Sequence, residues 1–90
     1  MAPTTTLKFS ALSCPARAQL FCLVAQGETR VAELVEKCEE LSSSSVSQHL
    51  STLRNAGLVA RRKEGRFAFY SVNAEGVEEI IAALTRLKAA

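Results

Sequence analysis

The stretch Leu41-Ser-Ser-Ser-Ser-Val46-Ser-Gln-His-Leu50-Ser-Thr-Leu53-Arg-Asn-Ala-Gly57-Leu58-Val59 constrains the fold more than any other part of this 90-residue chain. Read as a helix, it places Val46, Leu50 and Leu53 at i, i+4 and i+7, one apolar face. The opposite side carries Ser44, Ser45, Gln48, Ser51, Thr52 and Asn55. An ordinary solvated face would hold Lys and Glu, which favour helix and solubility. Short hydroxyls with one Gln and one His instead suit a helix pressed against a second polar surface of fixed donor and acceptor pattern. Base edges in a DNA major groove form such a surface.

The residues downstream extend this reading. Gly57 stands where a helix C-cap glycine belongs. Leu58-Val-Ala60 reads as a short strand running into Arg61-Arg62-Lys63, with Glu64-Gly65 as a turn and Arg66 to Val72 as a second strand. A helix followed by a hairpin with a basic tip is the layout of a winged helix-turn-helix. The expected fold class is therefore mainly α with a small β-hairpin: about five helices plus a two-stranded wing.

The other helices follow from spacing and punctuation. Residues 1–6 are expected to be a disordered, frayed tail, and Leu7 to Leu12 a short apolar helix. Pro15 opens a second helix, apolar on most sides from Ala16 to Gln26 and so expected to be central and buried. Thr29 is placed to cap a third helix from Arg30 to about Glu39, with Val31, Leu34, Val35 and Cys38 on its stripe. Ser42 is the expected N-cap of the serine-rich helix, so these two helices form the helix-turn-helix pair. Ala74 to Ala90 makes the last helix, with Val77, Ile80, Ile81, Leu84 and Leu87 on one side and its charges in dipole-favoured order. The length suits one small domain over residues 1–90, without linker or repeat.

Charge adds direction. The net charge is only +2. From Leu41 to Asn73, however, five bases (Arg54, Arg61, Arg62, Lys63, Arg66) stand against Glu64 alone, whereas the remainder has six bases and eight acids. A positive reading head on a slightly negative body fits a polyanion on one face, here double-stranded DNA. With 48% hydrophobic and 22% charged residues the chain should fold. No apolar run approaches the ~20 residues of a membrane span, and no secretory signal is visible. A cytoplasmic protein without membrane partners is expected. Three cysteines, Cys14, Cys22 and Cys38, in no C-x-x-C spacing, give neither a disulfide scaffold nor a zinc site.

Taken together, Ala11-Leu-Ser-Cys-Pro-Ala-Arg17, Val31-Ala-Glu-Leu34, the run Leu41 to Leu50, Leu53-Arg-Asn-Ala-Gly-Leu-Val59 and Arg62-Lys-Glu-Gly-Arg66 with Tyr70 resemble the ArsR/SmtB family of bacterial winged-helix repressors. The resemblance spans roughly residues 7–73. It implies a homodimeric repressor that releases its operator on sensing a signal, with dimerisation through helices 7–12 and 74–88. The family's metal ligands are missing. Its thiol pair would fall near Thr29 to Val31, where no Cys occurs, and the last helix has neither Asp nor His. No metal and no cofactor are expected. A thiol-switched branch resembles the chain more closely. Cys22 lies where its members carry a cysteine, but their second, C-terminal cysteine is replaced here by Leu87-Lys-Ala-Ala90. Cys22 thus has two readings, core packing or redox sensing. Cys14, at a helix start where a thiol pKa can fall, is a second sensing candidate. The turn Glu39-Glu40-Leu41 is one residue longer than the family pattern.

The expected DNA contacts follow. Ser44, Ser45 and Gln48 face base edges, Gln48 matching adenine N6 and N7. Ser47 and His49 touch backbone, with packing at the core edge as the other reading of His49. Ser43, Ser51 and Thr52 complete the polar side. Arg54, Arg61, Arg62, Lys63 and Arg66 meet phosphates or enter the minor groove. The alternative is a winged helix that docks acidic protein surfaces and does not bind DNA. An enzyme is not expected, since no Cys has a His or Asp arranged beside it. The residues identify no inducer.

Overall fold

The computed structural model describes residues 3–89, with side chains for 4–88. Five helices and three short strands follow one another as α1 (Pro3–Leu12), α2 (Pro15–Ala25), β1 (Thr29–Arg30), α3 (Val31–Lys37), α4 (Ser43–Asn55), β2 (Val59–Glu64), β3 (Phe67–Val72) and α5 (Ala74–Ala89). The winged helix-turn-helix class expected from the sequence is the fold observed. None of the described helices is long and apolar enough to cross a membrane.

The core forms where the apolar stripes meet. Leu20 and Val24 of α2, Leu34 of α3, Val46, Leu50 and Leu53 of α4, and Leu58, Val59 and Tyr70 of the hairpin are all buried. Each fully buried leucine contributes about 1.5–3 kcal/mol relative to exposure, so α4 is anchored by its apolar face alone. Its far end is closed by a Schellman motif: Gly57 N–H donates to Arg54 C=O and Leu58 N–H to Leu53 C=O, both at 3.0 Å. Gly57 sits at φ +81°, which a glycine adopts at little cost.

Several expectations need correction. Residues 3–6 are not a frayed tail but the first turns of α1; residues 1 and 2 lie outside the described residues. The cause is a distant partner. The Thr5 hydroxyl donates to Glu79 Oε2 at 2.8 Å and Lys8 Nζ lies 3.2 Å from the same oxygen. Both Thr5 and Lys8 are buried between α1 and α5. Thr29 does not cap α3. Its hydroxyl donates to Gly27 C=O at 2.8 Å, and Thr29–Arg30 pair with Tyr70 and Phe69 as a third strand. The sheet is antiparallel in the order β1-β3-β2 rather than a bare two-stranded wing. α3 stops at Lys37, because Cys38 leaves helical geometry at φ −112°, ψ 68° while staying buried, and Leu41 N–H closes a turn onto its carbonyl. The bases Arg61 to Lys63 lie within β2, not at the tip. The two-residue loop Gly65-Arg66 makes the tip, with Gly65 at φ +60° and Arg66 at negative φ, the signs of a type II′ turn. α2 is buried on one stripe only, and Cys22 is exposed. Ala90, assigned above to the last helix, lies outside the described residues.

Candidate nucleic-acid interface

The serine-rich helix is built from its cap outward. Ser42 takes extended geometry and its Oγ accepts the Ser45 N–H at 3.0 Å, satisfying one of the helix's open amides. With Val46, Leu50 and Leu53 pinned in the core, the helix has no rotational freedom. Ser43, Ser44, Ser47, Gln48, Ser51, Thr52 and Arg54 are therefore all exposed. The first six of these share one concave surface with His49, Asn55 and Arg17. Ser45 does not line it. It is half-buried in the cap, where its hydroxyl also accepts from Ser42 at 3.1 Å. The Thr52 hydroxyl donates back to Gln48 C=O at 3.2 Å.

A second groove, of about 370 Å³, runs between α4 and the sheet. Ser47 and Ser51 form one wall, and Arg61, Arg66, Ala68 and Tyr70 the other, with Arg30 and Phe67 at its edge. Ser47 and Ser51 belong to both surfaces, so the polar side of α4 and the cationic side of the wing are continuous.

The wing cations divide by strand alternation. Arg61 pairs across the hairpin with Tyr70 and Lys63 with Ala68, on one face; Arg62 pairs with Phe69 on the other. No carboxylate lies in ion-pair range of Arg54, Arg61, Lys63 or Arg66 among the described residues. Arg62 differs. Its Nη2 and Nε meet the two Glu28 carboxylate oxygens at 2.9 and 3.3 Å, its Nη1 meets Glu64 at 2.6 Å, and its guanidinium lies 4.6 Å from the Phe69 ring centre. The bidentate pair holds the Glu28 carboxyl below its usual range and the guanidinium proton more tightly than usual. Arg62 is thus a strut between the wing and the segment before β1, turned away from the groove that holds Arg61 and Arg66.

Sequence reasoning assigned no contact to Arg17 or Arg30, yet both reach the interface. Arg17, in α2, borders the concave face of α4. Arg30 borders the groove, 3.3 Å from Glu33 and 5.4 Å from the Phe67 ring centre. Arg17 ends a stretch that resembles the family, but nothing in its spacing ties it to α4, and Arg30 carries no such signal; the packing of α2 on α4 and the pairing of β1 with β3 bring them there.

The cysteines fall in three environments. Cys38 is buried, and burial pushes its thiol pKa up. Cys14 is the N-cap of α2, where chiefly the Arg17 backbone N–H pulls its thiol pKa down. Cys22 is exposed on α2. Among the described residues, no three His, Cys, Asp or Glu side chains cluster to hold a metal ion.

Comparison with known proteins bears on this geometry. The sequence model described as "Bacterial regulatory protein, arsR family" matches residues 14–61, from the α2 cap through the first residues of β2. The HTH-type transcriptional regulator Rv0081 of Mycobacterium tuberculosis is 36% identical over 81 residues, spanning 90% of this chain and 71% of that protein. The transcriptional activator HlyU of Vibrio cholerae is 42% identical over 71 residues, 79% of this chain and 65% of HlyU. The solved HlyU structure superposes with a TM-score of 0.76 at 36% identity, covering 97% of this chain and 94% of the other. The biofilm growth-associated repressor of Agrobacterium fabrum is 40% identical over 73 residues, 81% of this chain and 62% of that protein.

Proposed function

This chain belongs to the arsR family of bacterial regulatory proteins and is a DNA-binding transcriptional regulator, not an enzyme; from that premise we propose that it acts as a homodimeric repressor. It binds a pseudo-palindromic operator through helix 43–56 and the basic wing 61–66, and it needs no metal.

One observation carries the reading. α4 exposes an uncharged row of hydroxyls and two amides while every apolar side chain of the helix is buried, and Arg61 and Arg66 flank that row without a carboxylate in ion-pair range among the described residues. Such a face carries neutral donors and acceptors of the kind that base-pair edges match. Gln48 presents the donor–acceptor pair that matches adenine N6 and N7, and Ser44 and Ser51 can donate or accept beside it. Arg54, Arg61, Lys63 and Arg66 meet phosphates and fix the register. Two copies joined through α1 and α5 would read half-sites about one helical turn, ~10 base pairs, apart. The exposed Leu7, Ile81, Leu84 and Leu87 support that pairing.

For the releasing signal, the residues favour thiol chemistry. Cys22 is exposed, and Cys14 has a lowered pKa. The relatives named above include an activator and a repressor, so the sign of regulation needs its own measurement. Selection of bound fragments from a genomic library tests the whole reading, with reduced and persulfide-treated protein run side by side. Enrichment of a palindromic site upstream of genes, with release on persulfide treatment, is the expected result. Retention of no sequence-selective, salt-sensitive fragment would defeat it.

A further inference from the structure

We propose that Arg17 and His49 form a phosphate clamp for the DNA backbone on the side of α4 away from the wing. The proposal rests on α4 being the helix that enters the major groove.

Arg17 is held in place without being neutralised. Its Nε–H donates to Ala11 C=O at the end of α1, at 2.8 Å, and its Nη1 stands 3.5 Å from His49 Nδ1. No carboxylate lies in ion-pair range of it among the described residues. Arg30 and Arg62 differ in being compensated, Arg30 by Glu33 and Arg62 by Glu28 and Glu64. Arg17 is therefore a pre-positioned cation with most of its five N–H donors uncommitted, the planar fork that grips phosphate oxygens. Because a guanidinium only donates, His49 Nδ1 is the acceptor in their contact. That leaves the ring's N–H on Nε2, a second donor on the same flank. Both side chains border the concave face that carries Ser44 and Gln48.

The placement matches the shape of the duplex. A helix with its side chains is about 10–12 Å across, and the major groove is about 12 Å wide with a phosphate strand along each wall. Arg61 and Arg66 stand on one side of α4 and serve one wall. Without Arg17 the opposite wall would meet no lysine or arginine from the concave face. With it, cations straddle the helix and both strands are held. Little side-chain freedom remains to be lost on binding, because the Ala11 carbonyl already orders the guanidinium.

The test uses the full chain and a mixed-sequence duplex of about 30 base pairs, because phosphate contacts need no operator. Fluorescence anisotropy between about 50 and about 200 mM salt compares the wild type with R17Q, R17K and R61Q. R17Q is expected to bind about 3–10-fold more weakly at low salt, with a log–log salt slope shallower by about one. R17K should recover most of the slope, which a purely structural role for Arg17 would not restore. If R61Q weakens binding and R17Q matches the wild type in affinity and slope, the clamp is wrong while the interface stands. If neither variant differs from the wild type, the α4 interface itself is wrong. Should R17Q not fold, the wild type decides the matter. The Arg17 Nε–H and His49 ring signals in ¹⁵N-edited NMR should shift when the duplex is added, and unshifted signals overturn the clamp.

Discussion

The placement of Gln48 is set by three buried residues of its own helix. Val46, Leu50 and Leu53 fix the azimuth of α4 and so leave Gln48 exposed on its concave face. Replacing it with Ala should cost about 1–3 kcal/mol of discrimination at one base position while leaving the others alone. Sequencing of selected sites from the variant would show one relaxed column, and an unchanged motif would remove Gln48 from the readout. Arg62 makes the opposite case. Its place in the wing put it with Arg61, Lys63 and Arg66 as an expected phosphate or minor-groove contact. Its two acidic partners and the Phe69 ring make it a structural side chain. R61Q should therefore flatten the salt dependence of binding by about one contact, and R62Q should leave that slope nearly intact while loosening the wing. Amide exchange over residues 59–72 would register the loosening. The hydroxyl face of α4 was legible in the sequence because a helix repeats every few residues. The Arg62 strut was not, since Glu28 lies 34 positions away.

At the scale of elements, the helices with strong local rules were legible and the pieces stabilised by distant partners were not. α4 announces itself through the Ser42 cap, the apolar stripe and Gly57. Replacing Ser42 with Ala should cost about 1 kcal/mol, because the Ser45 N–H loses its acceptor. Strand β1 has two residues and no pattern to read. Residues 3–6 contain three threonines in a row, poor helix formers, and become helical where Thr5 and Lys8 reach Glu79. The junction between α5 and α4 was equally hidden. Gly76, in the first turn of α5, sits so close to the reading helix that an added Cβ would meet the Gly57 carbonyl oxygen at 1.9 Å. That oxygen is backbone and cannot swing aside. Replacing Gly76 with Ala should destabilise the chain by about 1–3 kcal/mol, as overpacked contacts do, although Ala is the better helix former. Urea unfolding would measure it. A neutral or stabilising result would mean that α5 can slide along the cap.

On the scale of the molecule, that junction ties the reading helix to the α1–α5 pair, so whatever grips the pair is felt at α4. The Glu79 carboxyl, held below its usual range first by the Thr5 hydroxyl and then by Lys8, is one fastening. A carboxyl of depressed pKa stabilises the fold above the ordinary carboxylate range, and that contribution fades as pH falls through its lowered value. Replacing Glu79 with Gln should therefore flatten the acid limb of a stability–pH curve and change little at pH values below it. The outer side of the pair is the larger matter. Leu7, Ile81, Leu84 and Leu87 are 51–61% exposed, an apolar surface concentrated on two helices. If a second copy covers it, as the repressor reading requires, a charge placed there should split the dimer without disturbing the monomer's core. Leu84→Glu is the variant of choice, because Leu84 is exposed in the single chain and the change leaves Ile80 and Ala83 buried beneath it. Sedimentation equilibrium should report a monomer. Operator affinity should fall by orders of magnitude, since each half-site is then bound without the effective concentration supplied by its neighbour. Binding to a single half-site should persist, because α4 and the wing are untouched. A variant that stays dimeric would move the subunit contact to another face. A monomer that kept full operator affinity would show that the reading head works alone.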